Sequence, residues 1–309
     1  MKGTVVKSTG SNYEVRIDSD GTIIQCRIKG KMRTEDIKST NPVAVGDFVD
    51  IEMESEDSSE GLICELLPRR NYVVRRASNL SKQTHVLAAN VDQALLLVTI
   101  NYPVTTPVFI DRFLASAEAF GVPVVIVFNK IDRYDSRHRE ELDNFKSIYS
   151  DMGYDVVEIS AKYEQGLDKV KEFLKDKISV IAGHSGVGKS TLINRIEPGL
   201  NLRTDEISEC NNSGKHTTTH AEMHAFSFGG YVIDTPGIRG FGITGIDDNE
   251  ISHYFRDIFR ISDACQYNNC THRHEPGCAV KLAVEEGRLA LSRYQSYINI
   301  VDASKSKYR

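Results

Sequence analysis

One run restricts this chain more than any other: Gly183-His184-Ser185-Gly186-Val187-Gly188-Lys189-Ser190, spaced as G-x-x-x-x-G-K-[ST]. The apolar stretch 178–182 before it reads as a buried strand, and Thr191-Leu192-Ile193-Asn194-Arg195-Ile196 after it reads as a helix start. Glycines let such a backbone curl until its N–H groups face phosphate oxygens, with a helix N-terminus behind them. Lys189 then neutralises the outer phosphates, and the Ser190 hydroxyl suits Mg²⁺. The alternative, a glycine-rich turn with no ligand, fits the strand–loop–helix context poorly. By itself the loop specifies a nucleoside triphosphate and not which one.

The neighbouring segments must supply a sheet to carry that loop. From about residue 90, strand-like runs at 91–98, 122–128 and 155–159 alternate with helical patterns from about Pro107 to Phe120, Arg137 to Met152 and Gly166 to Lys175. That alternation implies a mainly parallel sheet with helices on both faces. Beyond the loop the chain is polar from Leu202 to His220, and runs at 222–228 and 231–234 then pair across Gly229-Gly230. From about Asp247 the pattern is helical, with closing helices at about 278–286 and 288–300.

The first 75 or so residues read differently. Short alternating runs at 13–17, 23–28, 49–53 and 62–66 belong to a set of about five strands with polar turns. A small antiparallel barrel fits, and the OB-fold is the natural choice. Cys26 and Cys64 sit at strand positions and are expected in its core. The same region carries Lys29, Lys31, Arg33, Arg69, Arg70, Arg75 and Arg76. These are either an ordinary solvated surface or a face that binds RNA phosphates.

Three of the six cysteines, Cys265, Cys270 and Cys278, fall within fourteen positions. No apolar run approaches the ~20 residues that span a bilayer, and Met1-Lys2-Gly3-Thr4 begins no signal core. A cytoplasmic protein is expected, and in a reducing compartment such clustering favours metal over disulfides. Cys265-x₄-Cys270-x-His272-x₅-Cys278 offers three thiolates and an imidazole, a closed structural zinc pattern with no open position. His274 is also within reach. The formal net charge of −5 argues against a chain that coats nucleic acid all over, though not against a local basic face.

Further motifs end the other strands. Asn129-Lys130-Ile131-Asp132 follows the 122–128 run, where an open α/β sheet presents its binding loops. The Asp132 carboxylate can accept from the N1–H and N2–H₂ edge of guanine, which adenine lacks. Ser160-Ala161-Lys162 follows the next strand and offers backbone contact to the base. Asp234-Thr235-Pro236-Gly237 places a carboxylate to reach Mg²⁺ through water and a glycine N–H toward a γ-phosphate, or is simply a Pro-Gly turn. A threonine hydroxyl of Gly214-Lys215-His216-Thr217-Thr218-Thr219 could complete the Mg²⁺ shell.

These are the guanine-nucleotide motifs of translation-factor-like GTPases in permuted order, because Asn129–Asp132 and Ser160–Lys162 precede the phosphate loop. With a barrel in front and a Cys/His cluster behind, essentially the whole chain resembles the RsgA/YjeQ family. That family comprises circularly permuted bacterial GTPases that assist maturation of the small ribosomal subunit. The most specific parts of the resemblance are the motif order and the run 214–219.

The resemblance implies an N-terminal OB-fold β-barrel over 1–80, a central circularly permuted α/β P-loop GTPase domain over 81–245 and a C-terminal α-helical zinc-binding domain over 246–309. It implies GTP or GDP held by Asn129, Lys130, Asp132, Ser160, Ala161, Lys162, the loop Gly183, His184, Ser185, Gly186, Val187, Gly188, Lys189, Ser190 and Thr191, and by Asp234 and Gly237. Magnesium would sit with GTP on Ser190, Thr218 and Asp234, and one structural zinc on Cys265, Cys270, His272 and Cys278. The implied partners are the 30S subunit and its 16S rRNA, with no membrane and a monomeric state.

Ile238 stands where Ras-like enzymes place the glutamine that orients the attacking water, and Gly186 where some relatives carry a potassium-binding asparagine. Water positioning must come from elsewhere, and the resemblance points to His216 as the catalytic residue. The other reading of His216 is a loop histidine that packs or touches RNA. Two further readings of the whole chain are a protein-binding signalling switch and a P-loop kinase or ATPase, the latter opposed by Asp132.

Overall fold

The computed structural model describes residues 1–30, 42–55, 59–76, 84–202, 221–234 and 250–305. The side chains of Arg75, Arg76, Thr84, His85, Asp234, Ser304 and Lys305 lie outside that description. So do Lys31, Arg33, His216, Thr218, Gly237 and Ile238 altogether.

Five strands close a barrel: β1 (Lys2–Ser8), β2 (Tyr13–Ile17), β3 (Ile23–Ile28), β4 (Phe48–Met53) and β5 (Glu60–Leu66). They neighbour in the order β1-β2-β3-β5-β4, and β4 returns to β1. The β3–β5 pairing is parallel and the others antiparallel. In β2 the alternation of apolar and charged residues sends Tyr13, Val15 and Ile17 inward. They meet Val5, Val49, Ile51, Ile63 and Cys26 in one core. Cys64 is only partly buried in β5. β1 is absent from the strand runs legible in the sequence, yet two sides of the barrel depend on it. β6 (Tyr72–Arg76) and β7 (Thr84–Ala89) form a separate two-stranded antiparallel sheet, and the expected boundary at residue 80 lies outside the described residues.

The second sheet is built from β8 (Gln93–Val98), β9 (Val124–Phe128), β10 (Asp155–Glu158), β11 (Ile178–Ala182), β12 (Ala221–Ala225) and β13 (Tyr231–Asp234). The order is β10-β9-β8-β11-β13-β12, with every pairing parallel except β12 with β13. Helices α1 (Pro107–Ala119), α2 (Ser136–Asp151), α3 (Leu167–Leu174) and α4 (Lys189–Ile196) cover its two faces. Thr106 caps α1 ahead of Pro107, and Asp135 caps α2. Alternate residues of one strand serve opposite faces. Leu96, Val98 and Ile126 pack with Phe113 and Leu142, while Leu95, Leu97 and Val125 pack with Val170 and Leu192. Burial on both sides is why β8 and β9 are apolar nearly throughout.

The two sheets are one. The free edge of β12 pairs antiparallel with β1, Lys7 opposite Glu222 and Ser8 opposite Ala221, giving a continuous sheet of eleven strands. Beyond it lie α5 (Arg256–Ser262), α6 (Ala279–Glu285) and α7 (Leu291–Lys305). Their core of Phe255, Ile258, Val280, Tyr297 and Ile300 includes Ala115 of α1, so this module rests on the parallel sheet's own helix. Among the described residues no helix is long and apolar enough to cross a membrane.

Candidate functional site

The C-terminal ends of β8, β9, β10 and β11 bring three sequence-distant loops together. The loop between β11 and α4 turns through Gly183, Gly186 and Gly188 at φ 144, 78 and 102°. Two of these positions admit no side chain. A Cβ on Gly183 would lie 2.3 Å from the Leu97 carbonyl oxygen, and one on Gly188 would lie 2.4 Å from Asn129 Nδ2. The close approach to Asn129 is the point at which the permuted motifs meet.

Asn129 is 2% exposed and ties all three loops. Its Nδ2 donates to Val187 O at 2.8 Å, while its Oδ1 accepts from Lys130 N at 2.8 Å and Ala161 N at 3.0 Å. Lys130, with φ 64°, sends its ammonium to Gly186 O and Tyr102 O, both at 2.6 Å. Partial burial lowers the Lys130 pKa, and nearby Arg133 adds to the effect. Ser160 Oγ donates to Asp132 Oδ1 at 2.5 Å, aiming the exposed carboxylate. Lys189 Nζ donates to Gly183 O at 2.9 Å and His184 O at 2.7 Å, which holds the ammonium against its own loop. Ser190 and Thr191 stand in the first turn of α4. The His184 ring packs on Phe109 of α1 with centroids 3.8 Å apart, facing the helix layer.

Two supporting residues carry no motif. The Tyr134 hydroxyl donates to Asn129 O at 2.7 Å and accepts from Ile100 N at 2.9 Å, locking the β8 and β9 loops together. A tyrosine just before a helix gives no signal of that role in sequence. The Tyr102 carbonyl is equally invisible, because a backbone acceptor has no residue signature.

The cysteine cluster forms as the spacing requires. One ligand atom from each of Cys265, Cys270, His272 and Cys278 lies within 4.8 Å of the others. His272 Nδ1 is 3.6 Å from both Cys265 Sγ and Cys278 Sγ. A tetrahedral ion with metal–sulfur bonds near 2.3 Å and metal–nitrogen bonds near 2.0–2.1 Å sets such atoms about 3.6 Å apart. The donor set therefore fits a thiophilic divalent metal, with Nδ1 as the imidazole ligand. Burial lowers the His272 pKa, which favours the neutral ring a metal needs. Burial and the neighbouring sulfurs push the Cys270 thiol up to about 12, a penalty that a bound cation reverses. His274 is exposed and outside the cluster.

The loop holding these ligands is itself braced. The Glu275 carboxylate accepts from Thr271 N, Thr271 Oγ1, Arg273 N and His274 N at 2.6 to 3.1 Å. From α7, the Tyr294 and Tyr297 hydroxyls donate to His272 O and Thr271 O.

The described cations of the expected RNA face separate into different environments. Arg69 is fully engaged inside the protein: Nε and Nη2 donate to the buried Asp47 carboxylate at 2.7 Å, and Nη2 also to Pro42 O at 2.9 Å. A phosphate would have to displace that bidentate pair, so Arg69 is a structural residue. Arg70 pairs with Asp92 at 2.8 Å while staying largely exposed, and Lys29 pairs with Glu52 at 2.8 Å in the same way.

Residues 2–63 match the RsgA N-terminal domain, and residues 66–244 match the RsgA GTPase family. A relative from Bacteroides thetaiotaomicron, named small ribosomal subunit biogenesis GTPase RsgA 2, is 54% identical over 310 residues, covering 100% of this chain and 99% of that one. The RsgA of Bacteroides fragilis is 53% identical with the same coverage. Among solved structures, YjeQ from Thermotoga maritima gives a TM-score of 0.79 at 39% identity, over 98% of this chain and 97% of that one. YloQ, described as a circularly permuted GTPase, gives 0.76 at 31% identity, over 99% of this chain and 95% of that one. This chain belongs to the RsgA GTPase family and is a GTPase, with its motifs in circularly permuted order between an N-terminal barrel and a C-terminal module that carries a Cys₃His cluster.

Proposed function

We propose that this GTPase acts on the small ribosomal subunit in the cytoplasm, as a monomer, hydrolysing GTP to GDP and phosphate during late subunit maturation. The observation that carries the proposal is the end-to-end likeness to relatives named for small-subunit biogenesis, which share every module of this chain. Asp132, aimed by Ser160, accepts the guanine edge, and Lys130 ties that loop to Gly186 of the phosphate loop. Backbone N–H groups of Gly183–Ser190 and the Lys189 ammonium take the phosphates. Ser190, Thr218 and Asp234 hold Mg²⁺, which when bound neutralises charge developing on the phosphate oxygens. Gly237 contributes an N–H to the γ-phosphate, and His216 orients the attacking water in place of Ile238. Zinc on Cys265, Cys270, His272 and Cys278 is structural, since the set is closed. Contacts to 16S rRNA draw on cations not engaged in the fold, which removes Arg69 from that set.

Nucleotide state reaches the barrel through β12, the strand between the 214–219 run and Asp234, because β12 is also the edge that β1 extends. GTP hydrolysis measured with and without purified small subunits tests the proposal. Slow intrinsic turnover that the subunits accelerate is expected, together with co-sedimentation. Absence of both would favour a protein-binding signalling switch instead. His216→Ala is expected to abolish the acceleration while GTP binding persists, and an unchanged stimulated rate would remove His216 from the mechanism.

A further inference from the structure

Lys130 ties the Asn129–Asp132 loop to the phosphate loop, and one of its two acceptors comes from a segment that no motif marks. Its ammonium donates to Gly186 O and to Tyr102 O, both at 2.6 Å. Tyr102 stands in the turn from β8 to α1, which Thr99 and Thr105 close. Thr105 N donates to Thr99 O at 3.0 Å, and Thr99 N donates to Thr105 Oγ1 at 3.1 Å. Tyr102 takes φ 53°, a left-handed conformation that a tyrosine keeps only when its surroundings impose it. Its ring is 59% exposed, so burial does not impose it. The Arg133 guanidinium lies over that ring at 4.4 Å, and the residue before it, Asn101, is tied to α2.

That tie is a single contact, Asn101 Nδ2 to His138 Nε2 at 2.9 Å. His138 Nδ1 is buried 2.7 Å from Asp135 Oδ1, too bent for a hydrogen bond but close enough for the carboxylate to favour the proton there. Nε2 is then free to accept from the amide. Asn101 Oδ1 is buried without a hydrogen-bond partner, so His138 alone orients this side chain among the described residues. We propose that Asn101 and His138 form a strut that positions Tyr102 O for Lys130 and thereby slows the release of guanine nucleotide. The inference rests on the reading of Asn129–Asp132 as the guanine loop and adds two positioning residues to it. Without the strut, residue 102 can relax to the ordinary extended region and carry its carbonyl away. The Lys130 ammonium is partly buried, so water replaces a lost acceptor only in part. Lys130 then keeps Gly186 O alone, and the guanine loop moves more freely against the phosphate loop. A nucleotide that spans both loops leaves sooner. The fold itself survives, because the Tyr134 hydroxyl still joins Asn129 O to Ile100 N.

The test measures release of fluorescent N-methylanthraniloyl-GDP from the full chain and from Asn101→Ala, His138→Ala and His138→Gln. Arg69→Ala, which destabilises the distant barrel joint, shows what lost stability alone does to release. Asn101→Ala and His138→Ala are expected to release the nucleotide about ten-fold faster, the scale of one charge-assisted hydrogen bond. His138→Gln retains an acceptor for the Asn101 amide and should restore slow release. The single-turnover rate of bound GTP should stay unchanged in all three, since no reacting atom is touched. Release within two-fold of wild type in both alanine variants would overturn the proposal. So would equal acceleration in Arg69→Ala, or a His138→Gln chain as fast as His138→Ala. If Asn101→Ala does not fold, the two His138 variants still decide, because both substitutions suit a helix. A wild-type chain that holds GDP no longer than ADP would defeat the guanine reading of the site and the strut with it. Selective wild-type binding with unaltered release from the variants would defeat the strut alone.

Discussion

The barrel and the helical module are fastened to the parallel sheet differently, the first with strand pairing and the second, among the described residues, without it. The barrel is joined by strand pairing with side chains added: β1 extends β12 and Ala89 N donates to Val45 O at 2.9 Å, while Asn90 Nδ2 donates to Gly46 O at 3.0 Å. At the same joint Arg69 clamps Asp47, and Asn71 Nδ2 donates to Val91 O at 2.8 Å. The helical module is joined through side chains. Arg293 of α7, 2% exposed, grips Asp257 with two nitrogens at 2.9 and 3.0 Å and reaches Asp111 of α1 at 2.5 Å. Tyr149 donates to the same Asp111 oxygen at 3.0 Å, and the Phe255 ring lies 4.6 Å from the guanidinium. A sheet edge transmits the displacement of one strand to the next, whereas a buried ion cluster holds a helix in one place. On the function proposed above, the nucleotide response is therefore expected on the barrel side and anchorage on the helical side.

The largest effect tests anchorage. Removing the metal with a chelator is expected to unfold the 250–305 module, since structural zinc supplies on the order of 10 kcal/mol of folding energy in small domains. GTP affinity should hardly change, as read by nucleotide titration beside circular dichroism. Lower pH acts in the same direction. A ligand thiol must be deprotonated to bind, burial pushes Cys270 up to about 12, and metal is released as pH falls.

Arg293→Met comes next, with a loss of about 3–5 kcal/mol, because two buried carboxylates would then lack their cation. Urea unfolding should show the loss, and a change below about 1 kcal/mol would mean that the clamp is dispensable. On the barrel side, Gly46→Ala places a methyl 2.0 Å from Ala89 O at φ +91°, and Arg69→Ala strands the buried Asp47. Each should cost about 2–3 kcal/mol in thermal or urea melts. Lys29→Ala should cost less than about 0.5 kcal/mol, because its partner Glu52 is exposed. If Arg69 instead served RNA, its variant would lose subunit binding with an unchanged melt.

The smallest effect concerns the sheet edge itself. A double-mutant cycle on Lys7 and Glu222, 3.2 Å apart and partly exposed, should give a coupling of about 0.2–1 kcal/mol in the melt.

The loops of the nucleotide site were legible because their chemistry is local. A glycine is needed where a Cβ would strike Asn129, and that need shows in the residue itself. The cysteine spacing was legible for the same reason, the resemblance already favoured His272 over His274, and the fold places His272 in the cluster. The joints were not legible. The β1–β12 pairing links residues more than 200 positions apart, and nothing local marks Lys7 as the neighbour of Glu222. Arg69 reads as one more surface cation until the fold brings it to Asp47. Tyr72–Arg76 and Thr84–Ala89 pair across residues rich in polar side chains, so the two strands left no clear alternation to follow. Arg293 gives no hint in sequence that it lies between two aspartates from different modules.

The central claim is that the bound nucleotide sets how firmly the chain holds the small subunit. The most direct measurement is the affinity of the full chain for purified small subunits, taken once with a non-hydrolysable GTP analogue and once with GDP. Tighter binding with the analogue, and loss of that difference when the 214–219 run is replaced by alanines, is the expected result. Equal affinity in the two nucleotide states would contradict the account.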